Sequence, residues 1–254
     1  MTNSFSIVWA PANVTAICAT QVALQNEPMT FVNPISSQNI FTGQNPVHAQ
    51  LPVGTARSLA IENQSGAATV TLEVEGLDPF GNSLSESITV AASTTADTVN
   101  FYSIVNSITS TTLPDVDVSV GYGASGYIIP PVFDVWNKSS SYTISLNSVI
   151  GGSDVDVSIL YSNTPVNTFI NGQLIPTTFF EPGGVGVDVY TLPVANTNVI
   201  IDSSATISSL PVTLTDGEFA AFSIIGIPLT TLFAEVVSGT NGFTVTINQQ
   251  GGRF

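Results

Sequence analysis

Aliphatic side chains return at every second position in one stretch of this chain after another, and that spacing restricts what it can fold into. In AATVTLEVEG, Val70, Leu72 and Val74 point one way while Thr69, Thr71, Glu73 and Glu75 point the other. This is a strand with one face buried and one in water. LDPFGN interrupts with Pro79 and Gly81, after which Leu84, Ile88 and Val90 share a face, so the pair reads as a β-hairpin. Glu86 falls on the apolar side by parity, which places it near the rim or at a register shift. Further strands are expected at 99–108 and 116–120. Alternation returns at Tyr142, Ile144 and Leu146, at Val155, Val157, Ile159 and Tyr161, and at Val185, Val187 and Val189. The last strands are expected at 205–214, 219–225, 230–237 and 243–249.

Composition removes the alternative. Ser and Thr number 29 and 30 of 254 residues, while charged residues make up only 8% of the chain. Helix surfaces draw on Lys, Arg and Glu, whereas Thr and β-branched aliphatics suit a pleated sheet. The 20 Gly and 15 Pro supply turns. The expectation is an all-β protein with two β-sandwich or jelly-roll-like domains.

Residues 1–50, rich in Asn, Gln and Pro, read as an extended N-terminal arm, packed on the protein's own body or reaching a neighbouring subunit. Residues 51–125 form the first β-domain and 126–254 the second, with the boundary inside GYGASGYIIPPVFDVW, 121–136. The Gly-rich GYGASG there reads as a flexible connector. DVDVS occurs at 115–119 and 154–158, too short to establish a repeat.

Lys plus Arg total 3 against 18 Asp plus Glu, a net charge of −15. Arg57, Lys138 and Arg253 cannot displace the counterions of a polyanion, so neither nucleic acid nor an anionic membrane is an expected partner. The longest apolar stretch, 219–234, contains Ser223, Gly226 and Pro228, and reads as two core strands around a turn. MTNSFSIVWAPANV has no basic segment followed by an apolar run, so export is not expected.

Catalytic chemistry finds little to work with, and neither an enzyme nor a cofactor is expected. His48 is the single histidine, which removes multi-histidine metal sites; NPVHAQLP is a loop-like context. Cys18, the single cysteine, reads as a small buried hydrophobe. No G-x-S-x-G, P-loop or dinucleotide fingerprint occurs. Glu73 with Glu75, Asp115 with Asp117 and Asp154 with Asp156 each share a strand face and could hold calcium if a loop added carbonyls. The Val-rich opposite faces make solvated strand surface the plainer reading. The sequons at Asn13, Asn63 and Asn137 read as chance in a chain rich in Asn, Ser and Thr, and Lys138 as a surface charge. No residue is assigned a catalytic, cofactor-binding or metal-binding role.

The stretch TARSLAIENQSGAATVTLEVEGLDPFGNSLSESITV, continuing through VNFYSIVNSIT, resembles a module of tailed-bacteriophage structural proteins, over about 55–123. SYTISLNSVIGGSDVDVSILYSNTP and GIPLTTLFAEVVSGTNGFTVTINQQG are similar to strand pairs of the same virion class. The resemblance implies a β-rich particle component, a head decoration or cement protein assembled with the virion in the host cytoplasm. Its partners would be the major capsid protein or other virion proteins, together with further copies of itself in a homo-oligomer. Alternatives are a neck, tail or fibre component, and a carbohydrate-binding adhesin-like module, for which Tyr161, Tyr190 or Trp136 would have to line a shallow groove.

Overall fold

The structure, a computed structural model, describes residues 2–36, 47–52, 54–78, 81–113, 115–129, 141–148, 154–162, 168–170, 173–175, 179–180, 186–187, 199–201, 212–214, 219–225, 231–239 and 241–250. Its regular elements are all strands. The first ten are β1 (Thr2–Trp9), β2 (Asn13–Ala23), β3 (Ile35–Ser36), β4 (Val47–Gln50), β5 (Thr55–Asn63), β6 (Val70–Leu77), β7 (Ser83–Val90), β8 (Thr94–Asp97), β9 (Ile104–Ser110) and β10 (Val116–Ile128). Then follow β11 (Ser141–Ser148), β12 (Val155–Ser162), β13 (Thr168–Ile170), β14 (Gln173–Ile175), β15 (Phe179–Phe180) and β16 (Gly186–Val187). The last are β17 (Val199–Ile201), β18 (Val212–Leu214), β19 (Phe219–Ile225), β20 (Thr231–Ser238) and β21 (Phe243–Gln250). The protein is therefore all-β, with several antiparallel sheets in a sandwich-like architecture.

The chain divides into two compact units. One comprises 12–126 with 169–174, the other 1–11, 127–168 and 175–254. Residues 1–50, read above as an extended arm, give β1 to one unit and β2, β3 and β4 to the other.

In the 12–126 unit one sheet runs β3-β4-β9-β6-β7, and a second places β5 between β8 and β10, with β2 on the far side of β10. Their apolar faces share one core, in which Val70, Leu72 and Val74 join Leu59, Ile61, Val105, Ile108, Val116, Val118 and Val120. The β6–β7 hairpin pairs Val70 with Val90, Leu72 with Ile88 and Val74 with Glu86. Its turn is held by Asp78, whose carboxylate accepts from the Asn82 backbone N–H and side-chain amide, both at 2.8 Å. Gly81 supplies the left-handed φ of +84° that the turn requires.

Glu86 explains a difference from the expected strand at 99–108. Its two carboxylate oxygens accept the backbone N–H groups of Val99 (2.8 Å) and Asn100 (2.9 Å), so these residues turn instead of pairing. The strand begins at Ile104, and Val99 is left exposed. A carboxylate on an inward-facing row is tolerated because two main-chain donors satisfy it.

In the other unit one sheet runs β1-β21-β11-β19-β17. Eight consecutive antiparallel pairs, Thr2 with Gln250 through Trp9 with Phe243, join β1 to β21. Ile7, Trp9, Tyr142, Ile144, Leu146, Phe243, Val245 and Ile247 are buried, with the Trp9 and Phe243 rings stacked at 6.2 Å. A second sheet pairs β12 with β20 along 156–162, and places β18 and β15 on the other edge of β12. The apolar stretch 219–234 contributes β19 to the first sheet and β20 to the second, as two strands.

GYGASG is not a connector: it lies inside β10. A Cβ on Gly121 would stand 1.5 Å from the Asn13 carbonyl oxygen, and one on Gly126 2.1 Å from that of Ala56. Glycine inside a strand marks close approach of another backbone, which connector-like composition does not reveal. Gly121→Ala and Gly126→Ala are expected to lower the stability of this unit by about 2–4 kcal/mol through overpacking. Gly66→Ala, with nothing within 4 Å, should stay near neutral. Urea denaturation of the three variants checks this, and equal midpoints would contradict it.

Candidate interaction surface

An apolar groove of about 500 Å³ lies in the 12–126 unit. Met29 and Phe31 form its buried floor; Pro28, Pro34 and Val47 form exposed walls, and Asn106 and Ser107 lie along it. The segment after β2 is led there by main-chain bonds. Met29 N–H donates to the Ile108 carbonyl at 2.8 Å, and Val32 N–H to that of Ile17 at 2.8 Å. Gln21 clamps Thr30 from both sides, its amide donating to the Thr30 carbonyl (2.8 Å) and its oxygen accepting the Thr30 N–H (2.9 Å). Val32 and Ile35 next to the groove are 45% and 44% exposed, and Val47 is 48% exposed. Among the described residues, no charged side chain lines it.

The only arginine in this unit points inward. Arg57 is 2% exposed, donates through its guanidinium to the Gly123 carbonyl, and lies 5.2 Å above the Tyr122 ring. Burial draws its pKa down from 12.5 to about 10, against the opposing pull of Tyr122 and Asp97. Nearby, burial pushes the Tyr102 phenol above its ordinary range, with the Glu86 carboxylate adding to the shift. Tyr102 is fully buried, and its backbone exchanges hydrogen bonds with Arg57 at 3.0 and 2.9 Å. This constellation holds β5 against β10; the alternation pattern carries no signal for it, because an arginine at a strand start reads as surface.

The residues singled out by sequence do not converge. His48 sits in β4, paired with Ile35, and not in a loop, since its neighbours complete the β3-β4-β9 ladder. The acid pairs are dispersed among hydroxyls and main-chain donors. Glu73 and Glu75 accept from Ser85 (3.4 Å) and Ser107 (3.0 Å), Asp115 from the Gln25 N–H (3.2 Å) and Asp156 from Thr213 (2.6 Å) and Ser238. The Ser238 and Thr213 bonds hold the Asp156 carboxyl below its ordinary pKa. Among the described residues, no three His, Cys, Asp or Glu side chains gather as a metal site would require. Asn63 is 1% exposed and spans to the Ala68 and Val90 carbonyls, so its sequon is a structural staple. Asn13 accepts from the Thr15 N–H at 2.8 Å. Trp136, Asn137, Lys138, Tyr190, Arg253 and the Tyr161 side chain lie outside the described residues. Among the described residues, no helix is long and apolar enough to cross a membrane.

No family model and no curated protein matches the chain. Among solved structures it is similar to the N-terminal CBM22-1–CBM22-2 tandem domain of Xyn10C from Paenibacillus barcinonensis, at 9% identity and a TM-score of 0.20, covering 96% of this chain and 100% of that one. It is also similar to XepA, a PBSX exported protein, at 10% identity and a TM-score of 0.20, covering 95% and 92%.

Removing the Arg57 side chain leaves a cavity and takes away the guanidinium donor to the Gly123 carbonyl. Arg57→Ala is therefore expected to cost about 3–5 kcal/mol in denaturant unfolding, and Arg57→Met, closer in volume, clearly less. Near-wild-type stability of the Ala variant would contradict the packing role. Cys18 is fully buried, and burial pushes its thiol from 9.0 to about 12. At pH 8 a thiol reagent should label the native protein roughly 10³-fold more slowly than the urea-unfolded chain. Comparable rates would place Cys18 at the surface.

Proposed function

We propose that this chain is a structural component of a tailed-bacteriophage particle, a decoration or cement protein that packs on the outer surface of the head and stabilises it. The groove floored by Met29 and Phe31 and walled by Pro28, Pro34 and Val47 carries the reading. It is apolar, lined by no charged side chain among the described residues and bordered by exposed Val32, Ile35 and Val47, on a chain whose cations number 3. Short aliphatic and proline side chains lose little rotamer entropy when a protein covers them. The large hydrophobic side chains that stand exposed among the described residues are all aliphatic, which favours a polypeptide partner over sugar rings stacked on aromatics. The resemblance of 55–123 to phage structural modules supports the same class.

In this reading the partners are the major capsid protein and further copies of the chain, and no residue acts in catalysis. The protein assembles with the virion in the host cytoplasm. A net charge of −15 disfavours adhesion to packaged DNA.

Purified protein added to heads lacking it should bind at many symmetric positions. Val32→Glu with Val47→Glu should weaken binding about tenfold or more, because each puts a charge where the partner removes water. Binding at one axial position would move the assignment to neck or tail. Retention on a polysaccharide column without head binding would overturn it in favour of a sugar-binding module.

A further inference from the structure

Asn241 and Gly242 stand just ahead of β21, whose first residue, Phe243, pairs with Trp9 at the end of β1. Asn241 is half-buried and Gly242 is buried. The Gly242 N–H donates to the side-chain oxygen of Asn241 itself at 3.0 Å. The Gly242 nitrogen is thus held against the side-chain amide of the preceding residue, whose carbon Cγ lies one bond beyond the accepting oxygen. Holding a nucleophile beside its electrophile in this way turns a chance encounter into a unimolecular step. Glycine adds no Cβ to screen its nitrogen from that carbon.

The surroundings decide what a reaction here would do. A Cβ on Gly242 would stand 2.6 Å from the Trp9 carbonyl oxygen and 3.3 Å from Pro11 Cδ. The main chain is therefore wedged against the end of β1, and the next residue stacks its ring on Trp9 at 6.2 Å. An additional backbone atom at this place displaces either Trp9 or Phe243.

We propose that Asn241 is a site of self-modification. The Gly242 nitrogen attacks Asn241 Cγ; the N–Cγ bond forms, the Cγ–Nδ2 bond breaks, and the side-chain nitrogen leaves as ammonia with the proton that Gly242 gives up. Water then opens the cyclic imide at one carbonyl or the other. One opening gives aspartate, and the other gives isoaspartate, whose main chain is one carbon longer. The isoaspartate form puts that carbon beside the Trp9 carbonyl and loosens β1 from β21 at this end.

Full-length protein kept folded at about pH 8 should release ammonia, and peptide mass mapping should place the new carboxyl at residue 241. Isoaspartyl methyltransferase should label the same peptide. Residue 241 should convert at least as fast in the folded chain as in urea, because the fold holds the nitrogen in place. Asn241→Gln, with its amide carbon one bond further out, should cut conversion about tenfold or more. Amides 2–9 and 243–250 should exchange faster in the isoaspartate fraction than in unmodified protein. Residue 241 staying Asn in the folded chain, or converting more slowly there than in urea, would overturn the proposal. So would a Gln variant that converts at the wild-type rate, or isoaspartate formed with exchange in 2–9 unchanged.

Discussion

Burial of alternate aliphatic rows between paired sheets is the interaction on which this molecule depends. In the 12–126 unit the inward rows of β6, β7 and β9 meet those of β5 and β10 in one core. Nothing else in the composition can supply comparable stabilisation: the chain has a single cysteine, which is free and buried, and few long charged side chains. At about 25 cal/mol per Å² of apolar surface, each fully buried Val, Leu or Ile is worth roughly 1.5–3 kcal/mol, several times an exposed ion pair. The sheets must therefore lie close, and glycines 121, 123 and 126 let the β10 backbone approach β2 and β5 to distances no Cβ would permit.

Scarcity of cations shapes the polar half of the structure as well. Arg57 is committed to the interior, and several of the described carboxylates are answered by hydroxyls and amides instead of by lysines. Ser85 and Ser107 serve Glu73 and Glu75, Ser119 serves Glu62, and Thr213 and Ser238 serve Asp156. Such bonds leave the negative charge in place. The result is a surface on which carboxylates keep their charge, whereas the described lining of the groove floored by Met29 and Phe31 carries none.

Much of the fold was legible because period-2 alternation is a local signal. The strands around Val70–Val74, Leu84–Val90, Tyr142–Leu146 and Val155–Ile159 lie where the aliphatic rows put them. Three features depended on contacts distant in sequence. Glu86 ends pairing at Val99 by capturing amides 13 and 14 residues away. GYGASG is strand because Asn13 and Ala56 press against it. Arg57 is core because Gly123, 66 residues on, receives its guanidinium. The apolar groove was hidden for the same reason. Pro28, Met29 and Phe31 show no periodicity, and they form a surface only when laid beside β4 and β9.

The proposal that this chain packs against other polypeptides in a particle is tested most directly by imaging. Particles purified from cells producing the protein, labelled on the chain and averaged by electron cryomicroscopy, should show β-rich density repeated over the head at symmetry-related sites. Absence of the label from every particle fraction, with the protein recovered as a free monomer, would contradict the account.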